Sequence, residues 1–499
     1  MNPGMTESRS SRMSGPWSRE KRNGRSVLIV FCILACASFS CGQDRIDLPH
    51  AIEQALKQNK TLAVSILRTK SAILGVDAAE APFGVKLTPN NSAGVSTGRG
   101  EASVGIAASK KLVWGTEVSF STGLSKSVIP SDTNDVSLYQ GSIGVELRQP
   151  LLRGLGEMVN TEDITLARSK VAETRRLVEM MKVDLVVETV RTYVELLHLR
   201  RQKESAGESA VRMERLSKLT KAMERRGGTT RIDTLRSELQ FGQALAQVES
   251  YGQEYDSKMR DFAELLGVDT DSTFDLEQVP FVNEELPDPG KVEDIALQHR
   301  LDYAQSVHDL RDAERGGLVA RNRVLPDLAL TLKYQRLGSG AKMSDATDVG
   351  EHFWFIGLSS TTDLLRKEER IAYRQSAVNG EVAARNLEIM DASIRKQSRQ
   401  AVLAYKRGIN ELKLAKRNFD LAKARAVLTR KMFEIGRTDN FSVTDAEMAY
   451  LGAENQLLQS ESDATLAGYR LRRTLGTLLE VPPDLLFSKE TPGKETSKP

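Results

Sequence analysis

The side chains best suited to bind a metal or act as nucleophiles are few in this chain and are not grouped for either task. Five histidines stand at positions 50, 198, 299, 308 and 352. No pair has the H-E-x-x-H spacing that puts two imidazoles and a base on one helical face. His198 lies in the apolar stretch Leu196–Leu199 and reads as a packed side chain or one facing an internal passage. Gly123-Leu124-Ser125-Lys126-Ser127 lacks the strand, G-K-[ST] loop and helix of a phosphate cradle. With no catalytic constellation, metal site or cofactor motif, the chain is expected to be no enzyme and to hold no cofactor.

The cysteines, Cys32, Cys36 and Cys41, cluster where a targeting segment would be. Arg9, Arg12, Arg19, Lys21, Arg22 and Arg25 outweigh Glu7 and Glu20, and an apolar run from Val27 to Ala37 with small residues follows. That order makes a secretory signal over residues 1–40, and its apolar run is too short for a spanning helix. Ile33-Leu34-Ala35-Cys36 resembles a bacterial lipoprotein processing site, which would leave Cys36 as a lipidated N-terminus. Ordinary cleavage after a small residue around 37–40 is the alternative. Loss of the leader takes the formal charge from +3 to about −1, so no nucleic-acid partner is expected.

The elements that remain are unusual in length. No proline falls between Pro150 and Pro280 or between Pro326 and Pro482, and both runs are rich in good helix formers, as long helices require. Val183, Val187, Val190, Val194 and Leu197 step by four and three, as do Leu412, Ala415, Phe419, Ala422 and Ala426, which is a coiled-coil seam. Gly227, Ile232, Glu238 and Gly267 recur 209 residues later as Gly436, Phe441, Glu447 and Gly476. The chain therefore reads as a tandem duplication: a first repeat over 46–270, a linker over 271–290, a second repeat over 291–481 and a polar tail over 482–499. In the first, helix is predicted over about 48–85, strands over 90–150, and helix over 161–225 and on to 266. In the second, the helices are about 291–324 and 366–434 and on to 475, with strands at 327–362. Turns fall at 227–230 and 436–440.

The strand sections alternate. Val118, Phe120, Thr122 and Leu124 face one way and Glu117, Ser119, Ser121 and Gly123 the other, and Ile143, Val145 and Leu147 repeat the pattern. Leu328, Leu330, Leu332 and Tyr334 do so in the second repeat, followed by Phe353-Trp354-Phe355-Ile356. One apolar and one polar face suit a membrane barrel wall. Two hairpins cannot close one, since a small barrel takes about eight strands, so several chains must share it. A periplasmic coiled-coil structural protein with a soluble β module is the competing class.

With Leu48-x-x-Ala51-Ile52-x-x-Ala55-Leu56-x-x-Asn59, Arg148-Gln149-Pro150-Leu151-Leu152-Arg153-Gly154, Val324-Leu325-Pro326-Asp327-Leu328 and the Leu266-Gly267 and Leu475-Gly476 pairs, the chain resembles the TolC family of bacterial outer-membrane channels. The resemblance covers about residues 46–481. It implies a mainly α fold with β: a tandem-repeat, long-helix coiled-coil barrel joined to a transmembrane β-barrel shared by a homotrimer, four strands per chain and twelve in all. It further implies an exit duct for efflux or one-step secretion. Its partners would be a periplasmic adaptor protein, an inner-membrane pump of the RND, ABC or MFS type, and outer-membrane lipid.

By the same resemblance, Gly227, Gly228, Thr229 and Thr230, with Gly436, Arg437 and Thr438, would be adaptor-docking tips. Asp445, Ser442 and Asp233 would lie at the periplasmic aperture, where three copies of Asp445 would repel anions and concentrate cations. The family's basic partner would fall at Thr438, with Arg437 one place earlier, which leaves the gating contact open. Asp233 and Asp445 also suit the first turns of helices on dipole grounds alone. Arg366, Lys367 and Arg370 fit either a junction between barrel and tunnel or a solvated helix start.

Overall fold

The computed structural model describes residues 44–96, 99–129, 136–278 and 290–486. The signal segment with Cys36, most of the linker and the end of the polar tail lie outside the described residues. In chain order the elements are β1 (Asp44–Ile46), α1 (Leu48–Gln58), α2 (Lys60–Glu80), β2 (Lys86–Ser96), β3 (Arg99–Lys111), β4 (Glu117–Ile129), β5 (Val136–Pro150), α3 (Glu157–Asn160), α4 (Glu162–Arg225) and α5 (Arg231–Leu266). There follow β6 (Phe274–Leu276), α6 (Val292–His299), α7 (Leu301–Arg323), β7 (Ala329–Gly340), α8 (Met343–Thr347), β8 (Glu351–Ser359), α9 (Lys367–Glu434) and α10 (Asn440–Leu475).

The proline-free runs become α4 and α9, of 64 and 68 residues, roughly 96 and 102 Å at the usual rise. Each turns back into a helix of 36 residues, α5 and α10. α4 packs between α5 and α10, and α10 between α4 and α9, so the helices form a row α5–α4–α10–α9. Beyond the row, α2 packs on α4 and α7 on α9. The seam residues Val190 and Val194 are buried, as are Ala415 and Ala426.

The two ends of each repeat meet through glycine. Gly267 and Gly476 close α5 and α10 with φ of 77° and 74°, the left-handed region that side chains disfavour. A Cβ at Gly267 would collide with the Gln58 carbonyl oxygen, and one at Gly476 would come within 2.7 Å of the His299 carbonyl oxygen. Thus α1 seats on the end of α5, and α6 on the end of α10.

Three expectations need correction. The helix expected over 48–85 breaks at Asn59, whose side chain accepts from the Leu62 amide at 3.0 Å and donates to the Leu265 carbonyl at 3.0 Å. A matching break falls at Arg300. The linker holds a strand, β6, paired in parallel with β1; Tyr193 secures both edges by donating towards the carbonyl oxygens of Ile46 at 2.9 Å and Glu277 at 2.8 Å. Burial pushes that phenol up to about 12. Most consequential is the strand count: one antiparallel sheet in the order β2-β3-β4-β5-β7-β8 has six strands where the resemblance implies four per chain, the strand-like segment around 90–112 falling in β2 and β3. The extra hairpin, β2–β3, carries Thr88-Pro89-Asn90-Asn91-Ser92-Ala93, too polar and too small in its side chains to announce alternation.

Candidate functional site

Register sorts the sheet into two chemically distinct faces. Directly opposed residues share a face, so Leu87, Ala108, Phe120, Val145, Tyr334 and Trp354 form one row across all six strands. The row beside it runs through Val118, Leu147, Leu332 and Ile356. Many of these side chains are exposed, Trp354 and Ile356 at more than 70%. The opposite face carries Ser103, Ser121, Gly123, Ser142, Gln335 and Ser339 along a cleft of about 570 Å³. An apolar face turned outward with a Ser, Gly and Gln face opposite is the pattern of a wall between lipid and water. The aromatic run divides as a strand must: Trp354 and Ile356 join the apolar face, Phe353 and Phe355 the other. Trp354 packs on Tyr334 with ring centroids 4.6 Å apart.

Where the strands meet the helices, Arg366 begins α9 at φ 45° and donates from Nη1 to the Val324 carbonyl at 3.0 Å. Arg153 reaches Glu369 at 3.4 Å, and Arg315 binds the buried Glu162 at 2.7 Å. These contacts tie the second repeat's strand-to-helix passage to the first repeat's.

At the far end of the helices lie the tip turns. Gly227 and Gly436 have φ of 73° and 71°. The amide of Gly228 returns to the Met223 carbonyl, and that of Arg437 to the Met432 carbonyl, both at 2.8 Å, a pair of Schellman closures. Gly227, Gly228, Thr230, Gly436 and Arg437 are exposed, while Thr229 and Thr438 are partly covered. The turns touch each other: Asn440 donates from its side chain to the Asp233 carbonyl at 3.2 Å, and Thr444 to Gln240 Oε1 at 2.8 Å.

Within one chain the acids expected at the aperture are already engaged. Asp233 completes the capping box whose N-cap is Thr230, accepting from the hydroxyls of Thr230 at 2.6 Å and Thr229 at 3.1 Å. The Thr230 bond, with support from Thr229, holds its carboxyl below the usual range. Ser442 gives its amide to Asp439 at 2.8 Å, so Asp439, which the sequence reading passed over, is the cap of the second repeat. Asp445 pairs with Arg425, so each carboxylate brings its own cation. Asp445 is brought near neither Asp233 nor Ser442 by any hydrogen bond or ion pair among the described residues.

Sequence reasoning also missed a buried clamp. Glu447, 3% exposed, accepts from Arg212 Nε at 2.9 Å and Arg430 Nε at 3.1 Å, joining α4, α9 and α10. The 209-residue offset held the signal: Lys221 and Glu238, the counterparts of Arg430 and Glu447, form an exposed pair at 2.7 Å. His198 is packed between α4 and α10, and burial pushes its imidazole down. Among the described residues no cluster suited to a metal ion occurs, and no helix is long and apolar enough to cross a membrane.

The family model described as outer membrane efflux protein matches residues 293–477. No curated protein matches the sequence. Among solved structures, the outer-membrane channel OprN is similar at 19% identity with a TM-score of 0.69, covering 86% of this chain and 89% of that one. The outer membrane protein VceC of Vibrio cholerae is similar at 14% identity and 0.68, covering 86% and 96%. The CmeC outer membrane channel of Campylobacter jejuni stands at 14% and 0.68, covering 87% and 86%. The resemblance to the TolC family therefore holds: residues 293–477 carry an outer membrane efflux protein domain, and the chain has the fold of the outer-membrane channels.

Proposed function

We propose that this chain is a passive exit duct of the outer membrane, closed as a ring of three copies, with its helical part in the periplasm. An adaptor protein would grip the tip turns, and an inner-membrane pump of the RND, ABC or MFS type would supply the energy. The duct contributes a path and no chemistry.

The observation that carries this reading is that the chain's two outer helix edges repeat its own inner seam. The 209-residue offset maps α4 onto α9 and α5 onto α10. Ser205 on α4 is 6% exposed, while its counterpart Leu414 is 60% exposed. Thr444 on α10 is 2% exposed, while its counterpart Leu235 on α5 is 50% exposed. The inner seam is filled by a helix of the same chain, and the equivalent outer positions wait for a helix from another copy. Leu414, Leu421 and Leu428 recur every seven residues on α9, and Ile232, Leu235 and Leu239 line α5, which is the spacing of a coiled-coil contact. A head-to-tail contact of this kind closes a ring when the rotation permits. The apolar face of the sheet supports a place in lipid over a soluble β module.

Purification in detergent followed by reconstitution into a planar bilayer tests the proposal. A heat-dissociable trimer with ion conductance is expected. A mature chain that is released without detergent and conducts no current would overturn it.

A further inference from the structure

We propose that the extra hairpin β2–β3 is part of the membrane wall, and that β8 of one copy pairs with β2 of the next to close a barrel of six strands per copy. For a ring of three this makes eighteen strands rather than the twelve the resemblance implies. The inference rests on the ring reading above and concerns which strands close it.

Connectivity is the first argument. The helix row has two free edges, and the sheet has two free edges. α2 and α5 occupy one helical edge and α9 the other. The chain passes from α2 into β2, the first strand of the sheet, and from β8, the last strand, into α9. Helical and β layers therefore run in the same sense. Any contact that brings α9 of one copy to α2 and α5 of the next also delivers β8 to β2.

Strand direction is the second. All five neighbouring pairs are antiparallel, and six alternating strands leave β2 and β8 pointing in opposite directions. Copies placed in rotation then meet antiparallel at every junction. An even number per chain permits this, and the wall is left without an edge. Pro89 removes one amide from β2, a loss placed where sheets tolerate it, in the outermost strand of the chain.

The third argument is that the hairpin has the same two faces as the strands that follow it. β2 pairs with β3 from Lys86↔Ser109 to Ser96↔Arg99, and β3 with β4 from Gly100↔Val128 to Lys111↔Glu117, without a bulge. Leu87, Val104 and Ile106 lie on the apolar face with Phe120, and all are exposed. Ser92 and Ser103 lie on the polar face, with their hydroxyls 2.8 Å apart. A hairpin standing outside the wall would present those apolar residues to water. In the wall they meet lipid. Because barrel diameter grows roughly in proportion to strand number, the membrane section would be about 1.5-fold wider than one of twelve strands. Size selection would then fall to the helical tip.

Paired cysteines in the full-length protein test this, and no native cysteine follows Cys41. Ser92→Cys on β2 is combined in turn with Glu351→Cys, Phe353→Cys and Phe355→Cys on the polar face of β8. Ser121→Cys on β4 is combined with the same three. The expected result is a covalent ladder up to trimer, reversible by reductant, for at least one β2–β8 pair and for no β4–β8 pair. Cross-linking from β4 alone would overturn the inference and return a twelve-stranded wall. If the oligomer forms but neither set cross-links, a strand count from an image of the detergent-solubilised ring decides, eighteen supporting and twelve refuting. A chain that stays monomeric in detergent would remove the ring reading itself, and the shared wall with it.

Discussion

The first and second repeats share a helical plan and differ in the groups that finish it. α5 and α10 have equal length, begin and end 209 residues apart, and close on glycines with nearly equal φ. Against that sameness, Lys221–Glu238 is exposed on α4 and α5, whereas in Arg430–Glu447 the carboxylate is buried and is also joined by Arg212. The first repeat inserts four strands between α2 and α4, the second two between α7 and α9. The same helical scaffold occurs twice, and burial by a neighbouring helix gives equivalent positions different work. Where the neighbour belongs to the same chain, the seam took polar, hydrogen-bonded and charged groups. Where it would belong to another copy, leucines remain.

The largest effect should come from the charge clamp. Glu447→Gln leaves two arginines facing a neutral group in a covered site, a loss of about 3 kcal/mol. Glu238→Gln at the equivalent exposed pair should leave stability unchanged. Denaturant titration of both variants in detergent, followed by circular dichroism, checks this, and equal losses would mean that the two repeats are not distinguished by burial. The glycine caps come next. Gly267→Ala and Gly476→Ala should each cost about 2 kcal/mol through left-handed strain and crowding, with the larger loss at Gly267, where the approach to Gln58 is tighter. A loss at one cap alone would break the equivalence.

A smaller and more discriminating effect concerns the outer edges. Leu421 is the counterpart of Arg212, and Glu238 of Glu447, so a seam between copies that mimics the inner one places Leu421 opposite Glu238. Leu421→Glu should then lower the temperature at which the oligomer dissociates on a semi-native gel, by like charge in a closing interface. Leu421→Arg should be tolerated or raise it, because it rebuilds the inner seam's ion pair. If the two variants behave alike, the mimicry fails.

Much of the helical plan was legible because its signals are local or periodic. Pro150 and Pro280 bracket the uninterrupted helices, Gly227 and Gly436 mark the turns, and Leu266-Gly267 with Leu475-Gly476 mark the caps. The break at Asn59 escaped because an asparagine inside a good helical pattern looks like a surface residue until Leu265, 206 positions away, supplies its partner. β6 is three residues long and exists by pairing with β1 and by the Tyr193 hydroxyl. Of the tip acids, Asp233 lies in the first turn of its helix as expected, whereas Asp445 lies beyond the first turn of α10; its Arg425 partner comes from the other helix of the pair, which no spacing rule reaches. The β2–β3 segment was legible as strand within the section over 90–150, but not its place in the wall, because the resemblance implies four strands per chain and the polar Thr88-Pro89-Asn90-Asn91-Ser92 run gives no lipid-facing stripe by itself.

The smallest effect separates the two tips by acid. The carboxyl of Asp439 is held below its usual value of 3.8, first by its bond with Ser442. A carboxyl lowered in the folded state gives stability that is fully present above its unfolded value and lost as pH falls through the folded one. The window for the tips therefore lies below about pH 4, since Asp233 is lowered as well. Asparagine caps a helix about as well as aspartate but does not titrate in this range. Asp439→Asn should remove the acid-dependent rise in amide exchange from the start of α10, leaving that of α5 unchanged. In the first repeat the N-cap is Thr230, which does not titrate, and the carboxyl sits three residues on at Asp233. There the converse change, Asp233→Asn, should flatten the acid response of α5 while Thr230 still bonds the amide of residue 233. If both tips loosened together in either variant, the bonds of Asn440 to Asp233 and of Thr444 to Gln240 would be coupling them into one unit. The difference between the repeats at this end would then be one of chemistry alone, with no separate stability attached to it.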